Sequence, residues 1–479
     1  MVSLLLKNRA DITAVIEMKH KPLIIAACVG SSEAVALLLE HGANPKLCHK
    51  TGATALHLCT TRAMVEALLK YGADIEQKWP ERGTALHSAC QWDHQEVAAA
   101  MLDHGADIRA VAPLGFTTLH MCTTRGMIEL LLNRGADIEM RSDNGSTPLH
   151  GACASGLPET IAALVDNGAD IEAEFSAGIT SLHLAAGLGH EPVVKALLEK
   201  GANVMAISEF TPFPLHCAAE SGHEVVVAML LDKGADIEAK DMSGLTALHH
   251  AARGGHEKVV EMLLQKGANV MATSGSGAPL HLAANNGHEK VVEVLLSCRA
   301  DIDARNPNGP TALHIATARG HEKVVEVLLR NGANIMSTIT LDLAPVHRGT
   351  GLDIGALESG DMVPLHVAAL LRHTKVLEVL LMYHPDTEAK AEGGRTALII
   401  AAGNGDVETV EILLRGGATV AADNMRTRTA LHPATIHGHA EVVAILLEHG
   451  ADRRSYGMVT ALRTAKKAGY QRVVELLTV

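Results

Sequence analysis

Aromatic side chains are almost missing: 479 residues include two Trp, four Tyr and four Phe. Without them a core must come from Ala, Leu, Val and Ile. Long hydrophobic runs are missing too. No stretch approaches the roughly 18 apolar residues of a membrane span. The apolar start, Val2 to Leu6, is too short for a signal peptide and runs into Lys7, Asn8 and Arg9. There is no basic excess: the formal net charge is −13, which argues against direct binding to a nucleic-acid backbone, a contact that needs a basic footprint. The eight Cys are scattered with no C-x-x-C. That points to a reducing, intracellular compartment, cytoplasmic or nuclear, where the sequon at Asn144–Ser146 is idle. A P-loop, a G-x-S-x-G elbow, an H-E-x-x-H and a kinase set are all absent. The chain reads as non-enzymatic, with no cofactor.

What is present is repetition. The stretch Gly244 to Ala272, GLTALHHAARGGHEKVVEMLLQKGANVMA, recurs along the chain. Anchored on the Thr of T-x-L-H, copies begin at Lys21, Thr54, Thr84, Thr117, Thr147, Thr180, Phe213, Thr246, Ala278, Thr311, Val363, Thr396, Thr429 and Thr460, mostly 33 residues apart. The motif has a physical reading. The Thr246 hydroxyl is placed to accept from a backbone N–H two or three residues on, as a helix N-cap does. Pro148, Pro214, Pro279 and Pro364 take the next position, where a missing N–H costs nothing. Leu248, Ala251 and Ala252 give a short helix a face of small residues. Gly255 permits a tight turn. Val259, Val260, Leu263 and Leu264 form the stripe of a second helix, and Gly267 suits a left-handed C-cap. The extended, turn-rich stretch that follows is expected to be a β-hairpin finger. One such unit cannot bury its own apolar face, so its neighbours must complete it.

Period and motif together resemble the ankyrin repeat family over essentially the whole chain. The resemblance implies an all-α ankyrin repeat solenoid of helix-turn-helix units with β-hairpin fingers. It also implies a protein partner bound on a concave face of fingers and first helices. The expected organisation is a partial repeat over 1–20, ten repeats over 21–335, an inserted loop over 336–362, and four repeats with a polar C-terminal cap over 363–479. At the start, Leu4, Leu5 and Leu6 match a second helix whose first helix is missing. The copies at Thr54 and Thr117 are followed by the next copy after only 30 residues. Each must have a shortened first helix or turn. Either the deletion is silent, or the pair reshapes the groove around the repeat between them.

The 28 His invite a metal hypothesis. Eleven belong to L-H, such as His57, His150 and His249, and others follow the turn glycine, such as His190, His256 and His321. Equivalent residues one repeat apart lie about 8–10 Å from each other, whereas a metal needs ligands within about 2 Å of one ion. No metal site is expected. The resemblance instead implies that the motif His bonds neighbouring backbone and locks the finger. Carboxylates such as Asp170 and Glu172, or Asp236 and Glu238, recur at finger positions and read as surface. Lys258 and Glu261, like Lys290 and Glu293, read as i, i+3 pairs on a solvated outer face.

Val363 follows Thr311 by 52 residues, 19 more than 33. Gly349, Gly351 and Gly355 in that insertion lack the βαβ context of a dinucleotide fingerprint and read as loop glycines. In the last repeat Arg463, Lys466, Lys467, Gln471 and Arg472 make the polar end that a stack needs for solubility.

Exposed first-helix positions lie seven and eight residues after the motif Thr: Gln91 with Trp92, and Leu188, among others. Fingers carry Trp79, Leu114, Phe116, Phe175 and Phe210. Rare aromatics at positions expected to be exposed suggest binding anchors. Packing on the next finger is the other reading for Phe175, Phe210 and Phe213. The function that fits is a monomeric intracellular scaffold or adaptor. Similar long arrays occur in filamentous fungi, so an accessory role in a fungal secondary-metabolite pathway is one version of it. A transcription coregulator is the alternative, and an enzyme with its chemistry in the 336–362 insertion a remote one.

Overall fold

The structure is a computed structural model that describes residues 22–207, 212–340, 361–421, 429–455 and 457–478. Leu4 to Leu6, Phe210, Gly349, Gly351 and Gly355 lie outside the described residues. The chain divides into two compact units, Met1–Asp236 and Ile237–Val479. In each unit short first helices stack in one row, second helices of eight or nine residues in another, and fingers project between repeats. In the repeat of the second unit that starts at Thr246, the helices are Ala247–Gly254 and Glu257–Gln265. Leu248, Ala251, Ala252, Val259, Val260 and Leu263 are buried there. Small residues on the first helix let neighbouring helices approach, so the core is one thin apolar layer between the two rows.

The turn glycine has a second duty that periodicity does not reveal. Gly255 is left-handed, at φ +78°, and a Cβ on it would lie 2.5 Å from Nδ1 of His288, the turn His of the next repeat. Gly189 meets His223, and Gly405 meets His439, in the same way at 2.4 Å. The same ring donates from Nε2 to a first-helix carbonyl one repeat back, for example His223 to Gly187 at 3.1 Å and His288 to Arg253 at 2.9 Å. Where the next repeat has Asp406 instead of His, the left-handed position is Arg372, at φ +60°. The shortened repeats have no such turn. Their first helices are single 3₁₀ turns, Leu56–Leu58 and Thr118–Met121. Thr61 and Thr124 then cap the second helices by accepting from Met64 and Met127 N–H at 3.4 Å.

The motif Thr does not cap as the sequence predicts. Its hydroxyl meets the ring of the motif His: Thr246 Oγ1 lies 2.9 Å from His249 Nδ1, and the Thr246 N–H donates to the same nitrogen at 3.1 Å. The His thus takes the place of Glu or Gln in a capping box. At Thr396, where Ile399 replaces the His, the hydroxyl does accept a backbone N–H, at 3.4 Å. A backbone N–H can only donate, so Nδ1 is the acceptor and the proton sits on Nε2. Nε2 then donates to the next finger: His87 to Phe116 O at 3.2 Å, His120 to Ser146 O at 2.9 Å, His249 to Gly277 O at 3.1 Å and His314 to Ser337 O at 3.0 Å. Burial lowers the pKa of His87, His150, His183, His249 and His314 to about 4. Thr460 also departs from expectation. It lies inside the last first helix, Met458–Ala468, which begins after Gly457.

The finger carboxylates are not merely surface. Glu76 accepts from the Asp107 N–H at 2.8 Å, Glu139 from Asp170 at 2.8 Å, and Glu172 from Asn203 at 2.7 Å. In the second unit Glu238 serves Asn269 at 2.7 Å and Asp303 serves Asn334 at 2.9 Å. Each receiving Asp or Asn turns its own side chain onto the N–H two residues on, as Asp170 does for Glu172. The second-helix pairs also run between repeats. Lys290 reaches Glu257 at 3.7 Å, not Glu293, which accepts from Arg330 at 2.7 Å. Most fingers are tight turns closed by one or two backbone bonds, and the two-residue ladder Glu174–Phe175 with Ile179–Thr180 is among the longer ones.

The insertion opens out of such a finger. Ile339 pairs with Met362 and Thr340 with Asp361. Ile339 and Met362 are buried with Val367, Leu370 and Ile400, so the ends of the 336–362 segment belong to the stack. Across the insertion the repeats remain neighbours: His373 donates to Ala318 O at 3.1 Å, and a Cβ on Gly320 would meet His373 at 3.0 Å.

Three outcomes are expected. Replacing residues 341–360 with Asn-Gly, which suits a two-residue hairpin, should preserve helical circular dichroism and the thermal midpoint, because loop length costs only about 0.6 kcal/mol per doubling. Loss of most of the helical signal would place those residues in the stack. Gly255→Ala should lower the midpoint clearly more than Gly267→Ala. Gly267 is equally left-handed at φ +95°, but nothing stands within 4 Å of its Cβ position; its cost is about 1–2 kcal/mol of backbone strain alone. Equal losses would mean that the His288 contact carries no weight. Finally, the buried motif His have depressed pKa values, so the unfolded chain binds more protons than the folded one between about pH 6.5 and 4. Their stabilisation is complete above about pH 6.5 and falls as pH drops toward 4, each ring losing about 1.4 kcal/mol for every tenfold by which folding weakens its hold on the proton. The midpoint should fall steadily from about pH 7 to 5.5, above the range where ordinary carboxylates titrate; a flat profile would contradict the neutral-ring assignment.

Candidate partner-binding site

Within the first unit, the repeat at Thr84 stands between the two shortened ones. Its first helix, Ala85–Gln91, is a full seven residues. Its neighbours in the row are the 3₁₀ turns, so its C-terminal end stands without full-length helices on either side. Trp92 closes that helix and is 38% exposed. The finger entering the repeat is closed by Trp79 pairing with Gly83. Between the two Trp stands Arg82. Its guanidinium lies 5.0 Å from the Trp79 ring centre and 5.8 Å from that of Trp92, and donates to Gln91 Oε1 at 3.0 Å. Both distances are within cation–π range. The structure therefore brings Trp79, Gln91 and Trp92 together through a residue that sequence reasoning missed. Its signal was present: Arg82 is a cation three residues from one Trp and ten from the other.

Trp79 also lines a groove of about 370 Å³ between its finger and the next, with Lys78, Pro80, Val111, Pro113, Leu114 and Asp143 among the walls. Leu114 is 68% exposed and left-handed, at φ +64°. That conformation costs a residue with a Cβ about 1–2 kcal/mol, and here it directs an apolar side chain to solvent. Its carbonyl accepts from the Asp143 N–H at 3.0 Å, which fixes the tip.

The finger aromatics Trp79, Phe116, Phe175 and Phe213 are less exposed than the sequence predicts, and each packs on a motif His. Trp79 stands edge-on to His57 at 5.9 Å, Phe116 tilts on His120 at 5.4 Å, Phe175 meets His150 at 4.6 Å and Phe213 meets His216 at 5.3 Å. All four are half-buried. An imidazole already held by backbone offers a fixed wall, so a ring on the finger covers it. Phe175 and Leu188, the latter 46% exposed at the end of Ser181–Leu188, lie in later repeats and are not part of the Trp cluster.

Little here suggests bond-making chemistry. Burial pushes the thiols of Cys59 and Cys153 up to about 12. Cys122 is raised mainly by a hydrogen bond with Cys90 and then by burial. These are thiols, not thiolates, at neutral pH. Among the described residues no group of three His, Cys, Asp or Glu is placed to hold a metal ion, and no helix is long and apolar enough to cross a membrane.

Several known proteins are similar to this chain over part of its length. A mouse B-cell lymphoma 3 protein homolog is 30% identical over 163 residues, covering 31% of this chain and 36% of that protein. The human B-cell lymphoma 3 protein is 33% identical over 101 residues, covering 20% and 22%. The chicken nuclear factor NF-kappa-B p105 subunit is 30% identical over 134 residues, covering 26% and 14%. The matches thus span little more than a third of these relatives at most. The crystal structure of the human ASB11 ankyrin repeat domain is 25% identical, with a TM-score of 0.39, and covers 52% of this chain and 97% of that one. The family model described as ankyrin repeats (3 copies) matches segments that together run over 1–339 and 348–478. With that match across nearly every residue, and with the helix pairs, motif His and fingers described above, the chain belongs to the ankyrin repeat family.

Proposed function

We propose that this chain is an intracellular protein-binding scaffold or adaptor, not an enzyme, and that its primary partner site is the cluster of Trp79, Arg82, Gln91 and Trp92 with Leu114 and Phe116 beside it. Ankyrin repeats are protein–protein interaction modules, which supports the general role. The observation that carries the site is the Arg82 guanidinium held between two Trp rings at a full first helix flanked by shortened ones. Trp and Arg dominate the residues whose loss costs most at protein interfaces, and here they stand pre-ordered, so little side-chain entropy is lost on binding. Phe175, Leu188 and Phe210 belong to a secondary stretch of the same proposed surface.

Likeness to the B-cell lymphoma 3 proteins and to a subunit named a nuclear factor favours transcription coregulation as the second reading. An accessory role in a fungal secondary-metabolite pathway draws no support from these vertebrate relatives. Loss of a metabolite on deleting the gene would be its test.

Trp92→Ala should leave the thermal midpoint within a degree or two and weaken binding to a partner captured from the source cell at least tenfold, about 1.4 kcal/mol. If the variant unfolds while its folded fraction binds as before, the residue is structural and the site is elsewhere.

A further inference from the structure

We propose that the first-helix row of the second unit binds an extended acidic peptide. The row is unusual in its charge. Its seven helices, from Ala247–Gly254 to Met458–Ala468, contain no Asp or Glu, yet Arg253, Arg319, Lys466 and Lys467 lie in their last turns, and Arg372 follows Pro364–Leu371 directly. This is a cationic line on a chain of net charge −13. Cations suit helix C-termini, but that reason applies equally to the first unit, whose first-helix row ends in Gln91, Ala154, Leu188 and Ser221 and carries Glu220 as its single charge. The dipole therefore does not account for the line.

Neutral groups hold the two central arginines in place. Arg319 Nε donates to Asn285 Oδ1 at 2.9 Å, and Arg372 donates to the carbonyl of Asn404 at 2.7 Å. Both are exposed, and no ion pair to either is found among the described residues. Their charge is positioned but not neutralised, the arrangement that favours a carboxylate arriving from outside. Helices in a row stand about 10 Å apart, and an extended chain advances about 3.3 Å per residue. Arg319 and Arg372 come from adjacent helices of the row, so they match acidic residues three apart. The line is one side chain wide, which suits a single strand of peptide better than a duplex, and the net charge of the chain disfavours a long polyanion. The inference is independent of the Trp cluster, which lies in the other unit.

The test uses the full chain and two fluorescent 18-residue peptides, one with Glu at every third position among Gly and Ser, the other with Gln in place of Glu. Anisotropy should show binding of the Glu peptide, at least tenfold weaker at 300 mM than at 50 mM salt, and no measurable binding of the Gln peptide. The double variant Arg319→Gln, Arg372→Gln should bind the Glu peptide at least tenfold more weakly with an unchanged thermal midpoint, and Lys195→Gln, on an outer helix of the first unit, should bind as the parent does. Equal binding of the two peptides, an unaffected double variant, or tighter binding of a DNA duplex of matched charge would each overturn the proposal.

Discussion

The stack depends on one imidazole used at both ends. In copies such as those of His57, His87, His120 and His249, the motif His accepts at Nδ1 from the start of its own helix and donates from Nε2 to the finger of the following repeat. Where Ile399 replaces the ring, the Thr396 hydroxyl accepts from the Ile399 N–H instead, but a hydroxyl could not reach the next finger. A carboxylate could accept but not donate, and would carry a charge into a buried place. A neutral ring satisfies both demands over a span that fits the gap between repeats. Its proton position is fixed by the backbone, because the N–H at Nδ1 has no other role to play. The finger is thus tied to the helix before it.

Much of this was legible in the sequence. The period, the Thr–His pair, the small residues on the first helix and the shortened repeats at Thr54 and Thr117 announce the architecture, since each is a local requirement repeated often enough to be read. The Thr hydroxyl misleads because an N-cap is the commoner use of Thr before a helix, and the spacing to His is the same as the spacing to the N3 amide. The finger carboxylates mislead because their partners stand 31 residues away, beyond any local pattern. Glu76 and Asp107 make sense only once the fingers are side by side.

The candidate site was legible in part. Two Trp stand out in an aromatic-poor chain, and the structure sets Trp79 and Trp92 around Arg82. The exposure that the sequence suggests for Phe116 and Phe175 is too great, because nothing in composition says that a finger ring will cover a neighbouring His. Leu114 is visibly apolar, but its left-handed backbone, the feature that turns it outward, has no sequence signal. Gly commonly takes such positions, and Leu there would be discounted on propensity alone.

The coupling between a turn glycine and the His of the next repeat bears on how such an array is inherited. Gly189 fits because His223 stands under it, and Arg372 stands where Asp406 replaces the ring. The matched pair straddles the boundary at which one would cut the sequence into copies. A repeat moved whole to a new place carries half of each of two such pairs and leaves the other halves behind. Duplication of one copy beside itself preserves the match only when its own two halves agree, as they do through the run from Thr246 to Thr311. In these arrays the heritable module is therefore the seam, and the near-identical tract is the part of the chain where seams are interchangeable.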